Sequence, residues 1–270
     1  MRAVRHDMNE PHRGSARPLV AALTLVSMAF VGGELRAVES SRPPAPSPGR
    51  SKPPIALGEV TEGEIQETLN YRWRLQGVAG ALAGLFVPRR GEGILRQAAL
   101  PNGHLRSDLL ITSPDSDKGE FWTYGAEFDA ETSNTVRAWS SYFFRGKRQA
   151  KNQEVSEQGV TDITAGIHRL RVGRPRAKQR QRIWSDGRIY AVEVTPLGWE
   201  NITLANGARP FAEHYAIEGV AGAGERLWKG RIEVWLARDA AGSPLQILIE
   251  RGWASVLLVQ NPQGADKEAP

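Results

Sequence analysis

Apolar residues in the body of this chain recur at every second position, in short runs. Tyr71, Trp73 and Leu75 alternate with Arg72, Arg74 and Gln76, and Ile232, Val234 and Leu236 alternate with Arg231, Glu233 and Trp235. Leu245, Ile247 and Ile249 share one parity, as do Val136, Ala138, Ser140, Tyr142 and Phe144. Successive side chains of an extended strand point to opposite faces, so each run has one apolar face and one polar face. Such strands build an antiparallel sheet covered mainly on one side. Turn pairs punctuate the runs. Asp186-Gly187 separates Ile183-Trp184 from Ile189-Tyr190, and Asn206-Gly207 follows Ile202-Thr203-Leu204. Both pairs tolerate the positive φ that tight hairpin turns require. Arg145-Gly146 and Arg251-Gly252 mark two more reversals. The spacing predicts roughly ten to twelve strands.

One segment breaks the period. Ile163, Ile167 and Leu170 follow helical spacing, Asp162 or Thr161 stands ready as N-cap, Arg169 and Arg171 lie near the C-terminal end, and Gly173 is placed to end the helix. A helix this short draws its stability from packing, so it is expected to lie on the apolar face of the sheet. The fold expected is all-β: a curved antiparallel sheet or partly closed barrel, strung as sequential hairpins, with one short helix packed on it. A two-sheet sandwich is the alternative.

The two ends of the chain read differently from the body. Pro18 to Val31 is a 14-residue apolar run preceded by Arg13 and Arg17 and followed by Gly32, Gly33, Ser40 and Ser41. This is the pattern of a signal peptide over 1–40, and it is short for a bilayer span. It predicts export to the periplasm, with an uncleaved inner-membrane anchor as the alternative. Residues 41–58 form a Pro-rich linker that can hold neither helix nor ladder hydrogen bonds. A single domain is expected over 59–260, with a polar tail over 261–270. Apolar residues make up 40% of the chain and charged residues 24%, the balance of a globular body. Cysteine is absent, which excludes disulfides, thiolate metal sites, a cysteine nucleophile and a lipidated N-terminal cysteine. The net charge of +5 suits anionic surroundings such as a membrane face or cell-wall polymer; nucleic acid is not an expected partner.

The second half resembles a family of bacterial exported proteins, domain of unknown function 3108. The likeness runs from Asp162-Ile163-Thr164 and Leu170-Arg171 through Ser185-Asp186-Gly187-Arg188-Ile189-Tyr190 and Val192-Glu193-Val194. It continues through Trp199-Glu200-Asn201-Ile202-Thr203 and Asn206-Gly207 to Trp228-Lys229-Gly230-Arg231, Trp235-Leu236, Asp239 and Pro244. It covers roughly Asp162 to Gln260, while Tyr71 to Val155 matches only in its run of strands. The resemblance implies a strongly curved antiparallel sheet in the bacterial envelope and supplies no activity.

Catalytic and metal motifs are missing from the sequence. His104, His168 and His214 each stand without a second ligand at metal spacing, and there is no H-E-x-x-H. No G-x-S-x-G elbow occurs. Gly222-Ala223-Gly224 lacks the lysine of a phosphate loop, and Gly91-Glu92-Gly93 lacks the third glycine of a dinucleotide fingerprint. Asp115 to Glu120 has its glycine one position early for a calcium loop, and Ala126 stands where the closing glutamate belongs. No metal and no cofactor is expected. Glu193, Glu200 and Glu233 sit among strand residues, so one or two are candidates to face inward.

Two features rise above background. Arg169, Arg171, Arg174, Arg176, Lys178, Arg180 and Arg182 fall within fourteen residues with no acid among them. Arg174, Arg176, Lys178, Arg180 and Arg182 are expected to form an exposed positive edge. Such an edge either contacts anions or merely blocks edge-to-edge strand pairing. Eight tryptophans are the second feature, and Trp73, Trp139, Trp184 and Trp235 are the candidates to line an apolar cradle on the concave face. Trp235 has the opposite parity to Ile232, Val234 and Leu236. Either the sheet is covered on both faces there, or this indole meets a partner. The function expected is a non-enzymatic exported domain that binds a lipid or another apolar or amphipathic envelope component, or serves as an envelope scaffold. The alternative is an envelope hydrolase with a dispersed carboxylate or Ser/His site.

Overall fold

A computed structural model describes residues 63–76, 89–113, 119–144, 146–222, 226–251 and 254–262. The expected export segment and Pro-rich linker, Asp115 to Lys118, Ala223-Gly224, Gly252, Trp253 and the tail beyond residue 262 lie outside the described residues. The strands are β1 (Glu64–Gln76), β2 (Arg90–Ala99), β3 (His104–Thr112), β4 (Phe121–Asp129), β5 (Thr135–Phe144), β6 (Lys147–Glu154) and β7 (Val160–Thr161). After helix α1 (Ile163–Gly173) come β8 (Gln179–Ser185), β9 (Arg188–Asn201), β10 (Phe211–Gly219), β11 (Gly230–Ala237), β12 (Pro244–Arg251) and β13 (Ala254–Gln260).

All thirteen belong to one sheet, in the order β6-β5-β4-β3-β2-β1-β13-β12-β11-β10-β9-β8-β7. Two meanders run outward from the pairing of the first long strand with the last, where Trp73 stands opposite Leu258. Every pairing is antiparallel except the short one between β7 and β8. The fold is therefore the curved, unclosed antiparallel sheet, with one helix among the described residues, and not the sandwich alternative. Asp186-Gly187 makes the β8–β9 hairpin as read, with φ of 51° and 81°.

The sheet rolls into an open barrel. Its inner face carries Tyr71, Trp73, Leu95, Leu109, Ile111, Ile183, Val192, Val194, Tyr215, Ile217, Ile232, Val234, Leu236, Ile247, Ile249 and Leu258, packed on Ile163, Ile167 and Leu170 of α1. The β5–β6 edge laps over the outer face of β8. Ala138 and Val155 meet Trp184 and Val160 there. The Trp184 indole N–H donates to Gln153 Oε1 at 3.2 Å, and Ser140 Oγ donates to Asp186 Oδ1 at 2.9 Å.

Two local expectations are corrected. Gly173 is the last helical residue, and the left-handed cap is Arg174, with φ 39° and its N–H donated to the Leu170 carbonyl. Leu245 does not share a face with Ile247 and Ile249. A register shift opposite Trp235 and Leu236 gives β12 an extra residue and turns Leu245 into an outer cluster with Trp235 and Leu248. Asn206-Gly207 turns the β9–β10 connection as read, with Gly207 at φ 85°: the Ile202 N–H donates to the Pro210 carbonyl at 3.1 Å and the Leu204 N–H to that of Ala208 at 2.9 Å. Ile202 and Leu204 of that segment cover Trp235, Leu248 and Leu257 on the outer face. Gln246 Nε2 donates to the Thr203 carbonyl at 2.8 Å and the Ala205 N–H to that of Gln260 at 3.2 Å, which fastens the segment down. The opposite parity of Trp235 is thus answered by a second covered face.

Candidate functional site

The register gives the roll two unlike ends. At one, β1 begins, β2 ends and β12 begins; α1 crosses the interior there. Asp162 caps its start, with Oδ1 accepting from the Ala165 N–H at 2.7 Å and from Thr164 Oγ1 at 3.0 Å. Burial pushes the Asp162 carboxyl up to about 6, against the pull of the Ala165 and Thr164 N–H groups. His168 lies against Phe128 at 5.1 Å between ring centres, and burial, followed by the charge of Arg171, holds its imidazole below the usual range. Arg171 reaches Glu67 on β1 at 2.6 Å and the Ala241 carbonyl at 3.2 Å. This end is pinned shut by the helix.

The basic run does not form a uniform exposed edge. Arg174 tucks inward, donating to the carbonyls of Ala237 and Asp239, with Glu213 Oε2 at 3.9 Å. Arg176 donates to Glu213 Oε1 at 2.7 Å, and Lys178 to Glu193 Oε1 at 2.7 Å. Arg180 is exposed and Arg182 half-buried on β8. The inward carboxylate is Glu213, 2% exposed, and not Glu193, Glu200 or Glu233. Glu193 and Glu233 have the parity opposite to Val192, Val194, Ile232 and Val234. Glu200 and Glu233 lie on the outer face, where they flank His214. Nδ1 of His214 is 2.9 Å from Glu200 and Nε2 is 3.0 Å from Glu233, while the ring stacks on Trp235 at 4.2 Å. His104 lies 2.9 Å from Glu127.

The four candidate tryptophans are not brought together. Trp73 alone is on the inner face, buried, its N–H donated to the Thr112 carbonyl at 2.7 Å. Trp139 lies on the outer face, with its N–H 3.1 Å from Asp108 Oδ1 and the Arg106 guanidinium 4.9 Å from its ring centre. Trp184 fills the seam where the sheet overlaps itself, and Trp235 lies under residues 202–208.

The other end of the roll has a different surface. Here β1 ends, β2 begins and β8 turns into β9. Trp73 meets Trp122 edge to face at 6.3 Å. Leu75, Trp122, Tyr124, Tyr190 and Val256 join the inner core but remain only partly covered. Tyr190 also lines an open cleft of about 430 Å³, whose other described lining residues are Arg188, Ile189 and Arg226. The alternation along β1 groups Leu75 with Tyr71 and Trp73. The alternation of Trp122, Tyr124, Ala126 and Phe128 along β4 carried the signal for the first two. The cleft had no such signal, because Arg226 reaches it from outside any strand. A second, shallower cleft of about 360 Å³ at the helix end is lined by Arg176, Trp199, Phe211 and Arg238, with the two aromatic rings stacked at 5.6 Å.

No family model matches the chain, and no curated protein sequence matches it. Among solved structures it is similar to a β-barrel-like protein of domain of unknown function 1849 from Brucella abortus. The identity is 12% over 72% of this chain and 94% of that one, with a TM-score of 0.38. LprF from Mycobacterium bovis is 10% identical over 75% of this chain and 88% of that one, TM-score 0.22. The lipoprotein LppX from Mycobacterium tuberculosis is 14% identical over 74% and 89%, TM-score 0.19.

Proposed function

We propose that this protein is a non-enzymatic, exported binding domain that takes the apolar part of an amphipathic molecule into the mouth of its rolled sheet. One observation carries the reading. The inner apolar face continues from a sealed centre to an end where Leu75, Trp122, Tyr124, Tyr190 and Val256 are only partly covered, and Tyr190 also lines an open cleft. Sites for small apolar ligands are concave, mostly apolar and edged by a few polar groups, and this end has that make-up. The helix closes the opposite end, so a chain entering here meets a floor. On this reading the protein is an envelope domain of the 3108 type.

Titration of the full chain with a fluorescent fatty-acyl probe tests the proposal. The parent is expected to bind it, and Tyr190→Asp to bind about tenfold more weakly, because a charge at the mouth has to be desolvated when the acyl chain enters. Trp199→Ala, at the far end, leaves binding unchanged. Loss of binding in Trp199→Ala together with normal binding in Tyr190→Asp would overturn the placement of the site. Absence of binding in the parent would overturn the function.

A further inference from the structure

Several cationic side chains of this sheet are matched by carboxylates. Arg106 pairs with Asp108, Arg171 with Glu67, Arg176 with Glu213, Lys178 with Glu193, and Arg231 with Glu218 and Glu233. Two arginines at the mouth are not. Arg188 and Arg226 are exposed, and neither makes an ion pair with a described carboxylate. The acid nearest to Arg188 in sequence, Asp186, is turned to the Ser140 hydroxyl across the seam.

Their positions are set by the fold. Arg188 stands opposite Ser185 at the first rung after a two-residue turn, and it shares the inner face with Tyr190, two residues on. Arg226 lies two residues before Trp228, which is itself buried in the inner core. Two unmatched guanidinium groups thus edge a cleft whose remaining described lining is Ile189 and Tyr190, the latter packed against the inner core. Guanidinium forks bind carboxylate and phosphate oxygens through paired, charge-assisted hydrogen bonds.

Resting on the function proposed above, we infer that the ligand is an anionic amphipath. Its acyl chain lies on Tyr190, Trp122 and Leu75, and its carboxylate or phosphate head sits between Arg188 and Arg226. The cleft thereby selects for head-group charge, a property the apolar floor alone cannot supply.

The test uses the full chain and three probes with the same acyl chain, each below its micelle concentration: oleate, oleoyl lysophosphatidic acid and uncharged monoolein. The parent is expected to bind at least one anionic probe about tenfold more tightly than monoolein, the worth of one charge-assisted contact. The double variant Arg188→Gln/Arg226→Gln is expected to lose that preference, hold monoolein unchanged and keep its melting temperature. A lead for oleate identifies a carboxylate head and a lead for lysophosphatidic acid a phosphate head; either supports the inference. Equal affinity of the parent for all three, or a preference that survives in the double variant, overturns the anionic head while leaving the mouth as the binding site. If no probe binds the parent, the proposed function itself falls.

Discussion

Asp162 is both a helix cap and a buried carboxylate. Its Oδ1 serves the first turn of α1 at 2.7 Å, yet its folded-state pKa is raised to about 6 from 3.8. A raised carboxyl pKa means that the folded state holds the proton more tightly than the unfolded state does. The native protein is therefore favoured at low pH and loses stability as pH rises from about 4 to about 6, by roughly 2–3 kcal/mol for a shift of this size. Asn at this position keeps an oxygen for the cap and has no charge to bury. Asp162→Asn is expected to raise the melting temperature at pH 7.5 and to leave it nearly unchanged at pH 4. A gain of the same size at both pH values would show that the cap is insensitive to charge. Glu213 is a second buried acid. With Arg176 bonded to it and Arg174 close by, Glu213→Ala leaves cationic groups without a carboxylate at the inner edge of the sheet. A loss of about 1 kcal/mol in urea unfolding is expected, because Arg176 is 71% exposed and water can take over its charge. This partner was hidden from the sequence because Glu213 lies 37 residues from Arg176, and the register that joins them is a cross-sheet property.

Three indoles lie over glycines of this sheet, and that pairing belongs to the elements. A Cβ on Gly91 would come within 2.5 Å of Trp73 Nε1, one on Gly125 within 2.4 Å of Trp139 Nε1, and one on Gly230 within 2.5 Å of the Trp228 ring. Glycine in a strand often marks such a close approach, and the ring restores the burial that glycine lacks. Gly125→Ala is expected to destabilise by about 1–3 kcal/mol in chemical denaturation, the range for overpacking. Pairing it with Trp139→Phe should recover part of the loss; a fully additive double variant would show that the ring and the glycine do not interact. The strands themselves were legible from their alternation, as was the helix from Ile163, Ile167 and Leu170. Which face of a strand looks inward was not. Trp73 and Trp139 carry the same sequence signal, yet they point to opposite sides, because parity has meaning only relative to neighbours. Bulges then reset it, as at Leu245, where one extra residue moves an aliphatic side chain from the expected inner face to the outer one.

At the scale of the whole molecule, the meander was legible from consecutive hairpins, but the way the roll holds itself together was not. A closed barrel would join the two ends of the sheet order, β6 and β7, through ladder hydrogen bonds. In this sheet those edges pass one over the other, and side chains bridge them: Trp184 with Ala138, Val155 and Val160, and Ser140 with Asp186. No local pattern announces such a seam, because its partners come from strands at opposite ends of the sheet order. The seam is also where a roll of this kind can yield, since it lacks the cooperative backbone bonding that holds the pairing of β1 with β13. Trp184→Ala removes the largest seam residue and is expected to cost about 3–5 kcal/mol, the range for truncating a buried aromatic side chain. The cost should not be spread evenly. Amide hydrogen exchange is expected to accelerate first in β5, β6 and the β8–β9 hairpin, while Trp73, Ile247 and Leu258 in the centre keep their protection. Ser140→Ala, which removes a single bond across the seam, should show the same pattern at smaller amplitude. Uniform acceleration across all strands in Trp184→Ala would mean that the roll unfolds as one unit and that the seam is not a separate point of weakness.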